Sequence, residues 1–247
     1  MRPEPRADVA TWSHEGSTPS ANIQGEVALA RQEPTRRLAR IAVFAKRSID
    51  LLLAATALVI TSPFLIGAGI AVRVSTPGPA LFRQTRVGLS GAPFVILKFR
   101  TMYLDGDDSE HRAIVERQLN GSTQPTSESG VFKLTNDVRV TRLGRILRRT
   151  SIDELPQLLN VLRGDMSLVG PRPSLPWEVA LFRPEHLARF SVKPGITGLW
   201  QVSGRSRMTF AQALDLDVQY VQRRSLRMDA AILLKTIPAV VSRRGAW

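Results

Sequence analysis

The chain has 247 residues, no cysteine, three histidines and a formal net charge of +13. That length allows one substantial domain and a tail. The missing cysteines exclude disulfides and thiolate zinc sites, and the histidines at 14, 111 and 186 are too scattered for a histidine metal cluster. The excess charge calls for a polyanionic partner, which means nucleic acid, anionic lipid headgroups or phosphorylated substrates.

Residues 1–40 carry six Arg against five acids, so the charge belongs to the body of the chain. Residues 1–35 are rich in Pro, Ser, Thr, Glu and Arg and poor in large apolar groups, the composition of a disordered tail. No apolar core follows the first charges, so no signal peptide is expected. Residues 36–48 (RRLARIAVFAKRS) are basic and amphipathic, suited to anionic lipid. The remainder, 36–247, reads as one domain.

Leu51 to Val72 is an uncharged apolar run, long enough for a bilayer core that needs roughly 20 residues. Ser62 and Pro63 interrupt it: proline removes a backbone donor and kinks a helix, and the serine hydroxyl can occupy the freed carbonyl. Positive charge flanks both ends, with Arg36, Arg37, Arg40, Lys46 and Arg47 before and Arg73, Arg83, Arg86, Lys98 and Arg100 after. Basic flanks mark the cytoplasmic side, and here both ends carry them. Two readings stay open on composition, a kinked span and a re-entrant hairpin that breaks at Ser62-Pro63 over 51–72.

Residues 76–102 predict a turn, then two β-prone segments, ALFRQTRVG and FVILKFRTM, joined as a hairpin that presents Arg83, Arg86, Lys98 and Arg100. Residues 104–130 read as a polar surface excursion ending in a flexible loop. Asp105-Gly106-Asp107 within it is formally a metal-binding DxD, although acidic residues at a helix start also complement the dipole. Arg142, Arg145 and Arg149 are spaced to share one helical face. Residues 174–190 predict helix, PGITG and the GLWQVSGR that continues it predict loop, and 209–224 and 226–243 predict two amphipathic helices, the second broken near Pro238 and suited to the membrane surface.

Between these lies Asp153-Glu154, set among Arg139, Arg142, Arg145, Arg148, Arg149, Arg163 and Arg172. Ser151-x-x-Glu154 matches a capping box, and Pro156 fits the first turn of a helix whose buried stripe is Leu155, Leu158, Leu159 and Leu162. The same residues allow chemistry. A carboxylate at a helix start among arginines is favoured in its charged form. Asp153 can then attack phosphorus, arginines can stabilise the phosphoryl oxygens, and Glu154 can hold Mg2+ with phosphate oxygens and water. Pro171-Arg172-Pro173 restrains the chain around one guanidinium and aims it at a phosphate.

KFRTM (98–102), TRLGRILRRTSIDELPQLLNVLRGDMSLVGPRP (141–173) and PGITGLWQVSGR (194–205) resemble the bacterial sugar transferase family, the monotopic phosphoglycosyl transferases. The resemblance runs over about residues 40–245 in the family's order and includes Lys46-Arg47-x-x-Asp50 and the Ser62-Pro63 break. It implies transfer of a sugar-1-phosphate from a UDP-sugar to undecaprenyl phosphate with release of UMP. It further implies a ping-pong mechanism with Asp153 as nucleophile, Glu154 helping to bind Mg2+, Arg172 and Arg148 on phosphate, and Lys98 and Arg100 nearby. Ser62 and Pro63 would mark the re-entrant break, and the enzyme would sit on the cytoplasmic leaflet of a bacterial inner membrane as a short, core-only member. The fold implied is α+β and mainly helical, with the membrane helix-break-helix, a small β-hairpin and amphipathic interface helices around the site. Two other readings compete: a membrane-attached, metal-dependent glycosyltransferase using Asp105 and Asp107, and a non-enzymatic basic membrane-binding protein. A nucleic-acid partner is not expected, because aromatic content is low and no such module appears.

Overall fold

The computed structural model describes residues 36–103, 113, 116, 137, 139–203 and 208–241. The expected tail over 1–35 and the Asp105-Gly106-Asp107 stretch lie outside the described residues.

One helix, α1, runs from Arg36 to Ser75 and contains Pro63. It joins the basic segment to the apolar run, and its backbone stays helical through the expected break. The reason is local. Proline at 63 leaves the carbonyl of Val59 without its helical donor, and Ser62 Oγ donates to that carbonyl at 2.8 Å. One stripe of α1 meets the protein: Asp50, Ala54 and Val72 are buried, Ala57 and Leu58 pack on one apolar cluster, and Leu65 and Ala68 on another. The opposite face carries Leu52, Val59, Ile60, Phe64 and Val74, each at least 67 % exposed. Over Ile41–Ser75 this is the one described helix long and apolar enough to cross a membrane.

The expected hairpin forms from β1 (Leu81–Val87) and β2 (Pro93–Phe99), antiparallel, with Leu81 opposite Phe99 and Thr85 opposite Val95. Helix α2 (Arg142–Arg149) is capped by Thr141, whose hydroxyl accepts from the Gly144 N–H at 2.8 Å. Gly144 is required there, since a Cβ would lie 2.1 Å from the Thr101 carbonyl oxygen. A 3-10 turn, Ile152–Glu154, leads to α3 (Gln157–Arg163), which Pro156 opens and Gly164 closes in the left-handed conformation at φ 94°. A short parallel pair follows, β3 (Ser167–Val169) and β4 (Gly195–Thr197). The expected loop over PGITG is therefore partly strand, because β3 supplies a partner whose pairing no local pattern announces.

The expected helix over 174–190 resolves into α4 (Pro176–Val179) and a 3-10 helix, Pro184–Ser191, with Pro184 at the first position of the second element, where its missing N–H costs nothing. The GLW segment opens α5 (Leu199–Ser203) rather than continuing as loop. Helices α6 (Phe210–Arg223) and α7 (Leu226–Val241) form as expected, and α7 continues through Pro238.

The main core joins Ala54 of α1, Ile96 of β2, Leu158 and Val161 of α3, Leu168 and Val169 of β3, Tyr220 of α6 and Ile232 of α7. Full burial of one such aliphatic side chain is worth about 1.5–3 kcal/mol. Polar contacts fasten α1 to this body. Arg47 donates to the Val161 and Leu162 carbonyls at 2.7 and 3.1 Å, satisfying the C-terminus of α3. Asp50 accepts from Ser167 Oγ at 2.7 Å, and Lys46 donates to Asp229 at 2.8 Å. Tyr220 donates to the other oxygen of Asp229 at 2.7 Å, and burial with that carboxylate pushes the phenol's pKa up.

Candidate active site

The Asp-Glu pair is placed by backbone geometry, not by a capping box. Ser151 adopts φ 56° and its side chain makes no cap hydrogen bond. The left-handed residue reverses the chain after α2 and turns Ile152–Glu154 against the hairpin. The bonds from Glu154 N–H to the Ser151 carbonyl and from Leu155 N–H to the Ile152 carbonyl, both 3.2 Å, hold the turn. The expected helix starts only at Gln157. Of the expected leucine stripe, Leu158 is buried, while Leu155 and Leu162 are partly buried against the same core.

Two separate segments meet at this turn. On β2, side chains alternate: Leu97 and Phe99 lie on one face, and Lys98 lies on the other beyond Ile96, which is buried in the main core. Its Nζ donates to Glu154 Oε1 at 3.0 Å. From α2, Arg148 donates through Nε to Thr101 Oγ1 at 2.9 Å. Burial lowers the Arg148 pKa, while the charges of Asp153, Asp137 and Glu154 raise it, so both carboxylates of the pair lie within electrostatic reach of this guanidinium. A charged arginine beside two carboxylates creates a positive wall behind a half-buried anionic edge. Arg142, Arg145 and Arg149 share the exposed face of α2, as their spacing predicts.

Arg100, expected among the substrate-binding residues, bonds the segment that follows α1. It would share the face of Lys98 if β2 continued, but the strand ends at Phe99. Its Nη1 donates to the Pro77 carbonyl at 2.6 Å and its Nη2 to the carbonyl and hydroxyl of Thr76, both at 2.8 Å. At 5 % exposure it is a clamp between the end of α1 and the hairpin.

Arg172 lies on the loop after β3, and its main chain is held from several directions. The Pro171 carbonyl accepts from Gly195 N–H at 2.8 Å, and the Arg172 carbonyl from Arg189 Nη2 at 2.6 Å. The Pro173 carbonyl accepts from Arg86 Nη1 at 3.1 Å. Arg86 looks solvated in sequence, yet is 8 % exposed here.

Sequence reasoning also missed Asn160 and the Arg189–Asp217 pair. Asn160 ties α3 to β2, accepting from Leu97 N–H at 3.0 Å and donating to the Val95 carbonyl at 2.7 Å. Asp217 sits on the apolar stripe of α6 with Phe210, Ala213, Leu214, Tyr220 and Val221. An acid on an apolar stripe was the available signal. Among the described residues no group of three or more His, Asp or Glu could hold a metal ion. The adjacent Asp153 and Glu154 still suit Mg2+, which takes one or two carboxylates and completes its shell with phosphate oxygens and water.

Fold and site together define a class: a basic, mainly helical α+β protein with one long apolar helix on its surface and a cation-lined Asp-Glu pair. Residues 41–243 match the model of the bacterial sugar transferase family, and the chain belongs to that family. It is 40 % identical over 259 residues to the UDP-glucose:undecaprenyl-phosphate glucose-1-phosphate transferase of Caulobacter vibrioides, covering 97 % of this chain and 90 % of that one. It is 41 % identical over 216 residues to the exopolysaccharide production protein ExoY of Rhizobium meliloti, covering 87 % and 93 %. The undecaprenyl-phosphate galactose phosphotransferase of Salmonella typhimurium is 40 % identical over 204 residues, 83 % of this chain and 42 % of that longer one.

Proposed function

We propose that this protein transfers a sugar-1-phosphate from a UDP-sugar to undecaprenyl phosphate and releases UMP, the first membrane step in building an exopolysaccharide or related surface glycan. The observation that carries the reading is the bond from Lys98 to Glu154, with Arg148 in electrostatic reach of the same Asp153-Glu154 turn, in a chain whose relatives bear the names just given.

In the first half-reaction a carboxylate oxygen of Asp153 attacks the β-phosphorus of the UDP-sugar. A phosphorus–oxygen bond forms, the bond to the bridging oxygen breaks, and UMP leaves with the electron pair. In the second, an oxygen of the lipid phosphate attacks the same phosphorus, forming the lipid diphosphosugar and freeing the carboxylate. Arg148 and Lys98 offset the negative charge that gathers on the phosphoryl oxygens, an interaction strongest where water is excluded. Arg172 contacts phosphate from the Pro-Arg-Pro turn. Glu154 is the residue to hold Mg2+, which when bound neutralises phosphate charge.

The membrane reading is that α1, helical throughout, bends at Ser62-Pro63 and returns to the leaflet it entered. Both ends of the helix are fastened to one body: Arg47 and Asp50 to α3 and β3, Thr76 to Arg100 beside β2. A true span would separate those ends by a hydrocarbon core of about 30 Å. Basic residues on both flanks favour one side, the cytoplasmic leaflet of the inner membrane, and exposed Leu234 and Ile237 on α7 suit the same surface.

The test is the nucleotide released. Detergent-solubilised protein with UDP-glucose or UDP-galactose, Mg2+ and undecaprenyl phosphate should yield UMP. UDP would point instead to a metal-dependent glycosyltransferase using Asp105 and Asp107, and no nucleotide from any UDP-sugar to a non-enzymatic membrane-binding protein.

A further inference from the structure

Two buried ionised side chains lie directly behind the Pro171-Arg172-Pro173 turn and take no part in the chemistry above. Arg189 is 3 % exposed and Asp217 2 %. Arg189 Nη2 donates to Asp217 Oδ2 at 2.6 Å and to the Arg172 carbonyl at 2.6 Å, while its Nη1 donates to Ser174 Oγ at 2.5 Å. The main-chain N–H of Arg172, the only backbone donor in a Pro-Arg-Pro tripeptide, favours the ionised form of Asp217. The Arg172 carbonyl is therefore bonded by one member of the pair, while the Pro171 carbonyl in the preceding peptide accepts from Gly195 N–H at 2.8 Å.

Stability does not account for such a pair. Two charges taken out of water cost several kcal/mol each, and well-packed apolar residues in their place are often neutral or stabilising. The surroundings would accept them: the Arg189 guanidinium lies 5.3 and 5.7 Å from the ring centres of Phe182 and Phe190. What apolar residues could not do is bond the carbonyl of Arg172. Residue 172 is already restricted to extended conformations by the proline after it. With both flanking peptides held, little remains free except the side chain.

We infer that the Arg189–Asp217 pair is the positioning element of Arg172, fixing the backbone from which its guanidinium reaches a phosphoryl oxygen of the UDP-sugar. The inference rests on the reading of Arg172 as a phosphate contact. A misplacement of about 1 Å in such a group costs on the order of a hundredfold in rate, so a rigid base for one arginine has a kinetic return that a looser turn lacks.

A double-mutant cycle tests it on the full chain. Asp217→Asn and Ser174→Ala are each made in the wild-type and the Arg172→Ala backgrounds. kcat/KM is measured for UDP-glucose or UDP-galactose, whichever releases UMP. Asp217→Asn should lower kcat/KM at least tenfold and Ser174→Ala about threefold in the wild-type background. Neither should change it more than twofold once Arg172 is alanine. Equal losses in both backgrounds, or wild-type kcat/KM in both single variants, overturn the inference and leave the Arg172 reading intact. Wild-type kcat/KM in Arg172→Ala alone instead removes the phosphate role of Arg172, and the inference with it. If Asp217→Asn does not fold, the Ser174→Ala cycle decides by the same criteria.

Discussion

Lys98 Nζ donates to Glu154 Oε1 at 3.0 Å, joining a strand of the hairpin to a turn 56 positions away. Both side chains remain partly exposed, at 27 % and 36 %, and ion pairs of that kind contribute about 0–1 kcal/mol to folding. Lys98→Ala should therefore shift the melting temperature by less than about 4 °C. It should lower kcat/KM by roughly a hundredfold, the usual effect of removing one electrostatic contact to a transition state. Thermal melts and UMP release measured on the same preparation check both halves. An intact rate would remove Lys98 from the site.

Asp153 carries the covalent step in the proposed mechanism. Incubation with a turned-over UDP-sugar and no lipid acceptor should raise the intact mass of the protein by one phosphosugar. Asp153→Asn should show neither that adduct nor turnover. A variant that still turned over at the wild-type rate would move the nucleophile elsewhere.

Because the chain has no cysteine, single introduced thiols report topology cleanly. Cysteines near residues 40 and 85 should both be labelled from the cytoplasmic side alone. Labelling from opposite sides would make α1 a true span. The contact between Ser62 Oγ and the Val59 carbonyl should also be worth keeping in an apolar setting. Ser62→Ala leaves that carbonyl without a partner, which costs about 1–3 kcal/mol and should appear as a lower melting temperature in detergent.

Asp217 gives the fold a pH dependence of definite sign. Burial raises its carboxyl from the ordinary 3.8 to about 6, against the opposing pull of Arg189 and Arg172. Its folded-state pKa lies above its unfolded one, so the protonated form favours the fold. That contribution, on the order of 3 kcal/mol, is complete below pH 3.8 and is lost as pH rises through about 6. The melting temperature of the wild type relative to Asp217→Asn should fall between about pH 4.5 and 7. A difference that does not change over that interval would contradict the assignment. The ionised pair that is proposed to hold Arg172 is thus maintained near neutrality at some expense to stability.

Asp229 ties α7 to both α1 and α6, through Lys46 at 2.8 Å and Tyr220 at 2.7 Å. Asp229→Asn weakens both contacts and should cost about 2–3 kcal/mol, a drop in melting temperature of roughly 4–12 °C. Arg142→Ala, on the exposed face of α2, should leave it unchanged.

The sequence by itself determined the elements with strong periodicity and singled out the residues proposed to carry chemistry. The apolar run, the hairpin, α6 and α7, and the exposed arginine face of α2 follow from patterns that repeat within a few residues. Asp153-Glu154 stood out as a carboxylate pair in a basic stretch, whereas the break expected at Ser62-Pro63 is absent from the helical backbone of α1. The tertiary structure decided what local pattern leaves open. Arg86, Lys98 and Arg100 all belong to the basic hairpin segment, and only packing distinguishes Arg86 and Arg100, which bond backbone carbonyls, from Lys98, which bonds Glu154. Ser151 fits a capping box by spacing, but the reversal after α2 puts it in the left-handed region, where it caps nothing. The pairing of β3 with β4, and of Arg189 with Asp217, joins positions 28 apart. Such contacts depend on which distant backbone arrives opposite a side chain, and that is set by how α1, the hairpin and α6 share one core.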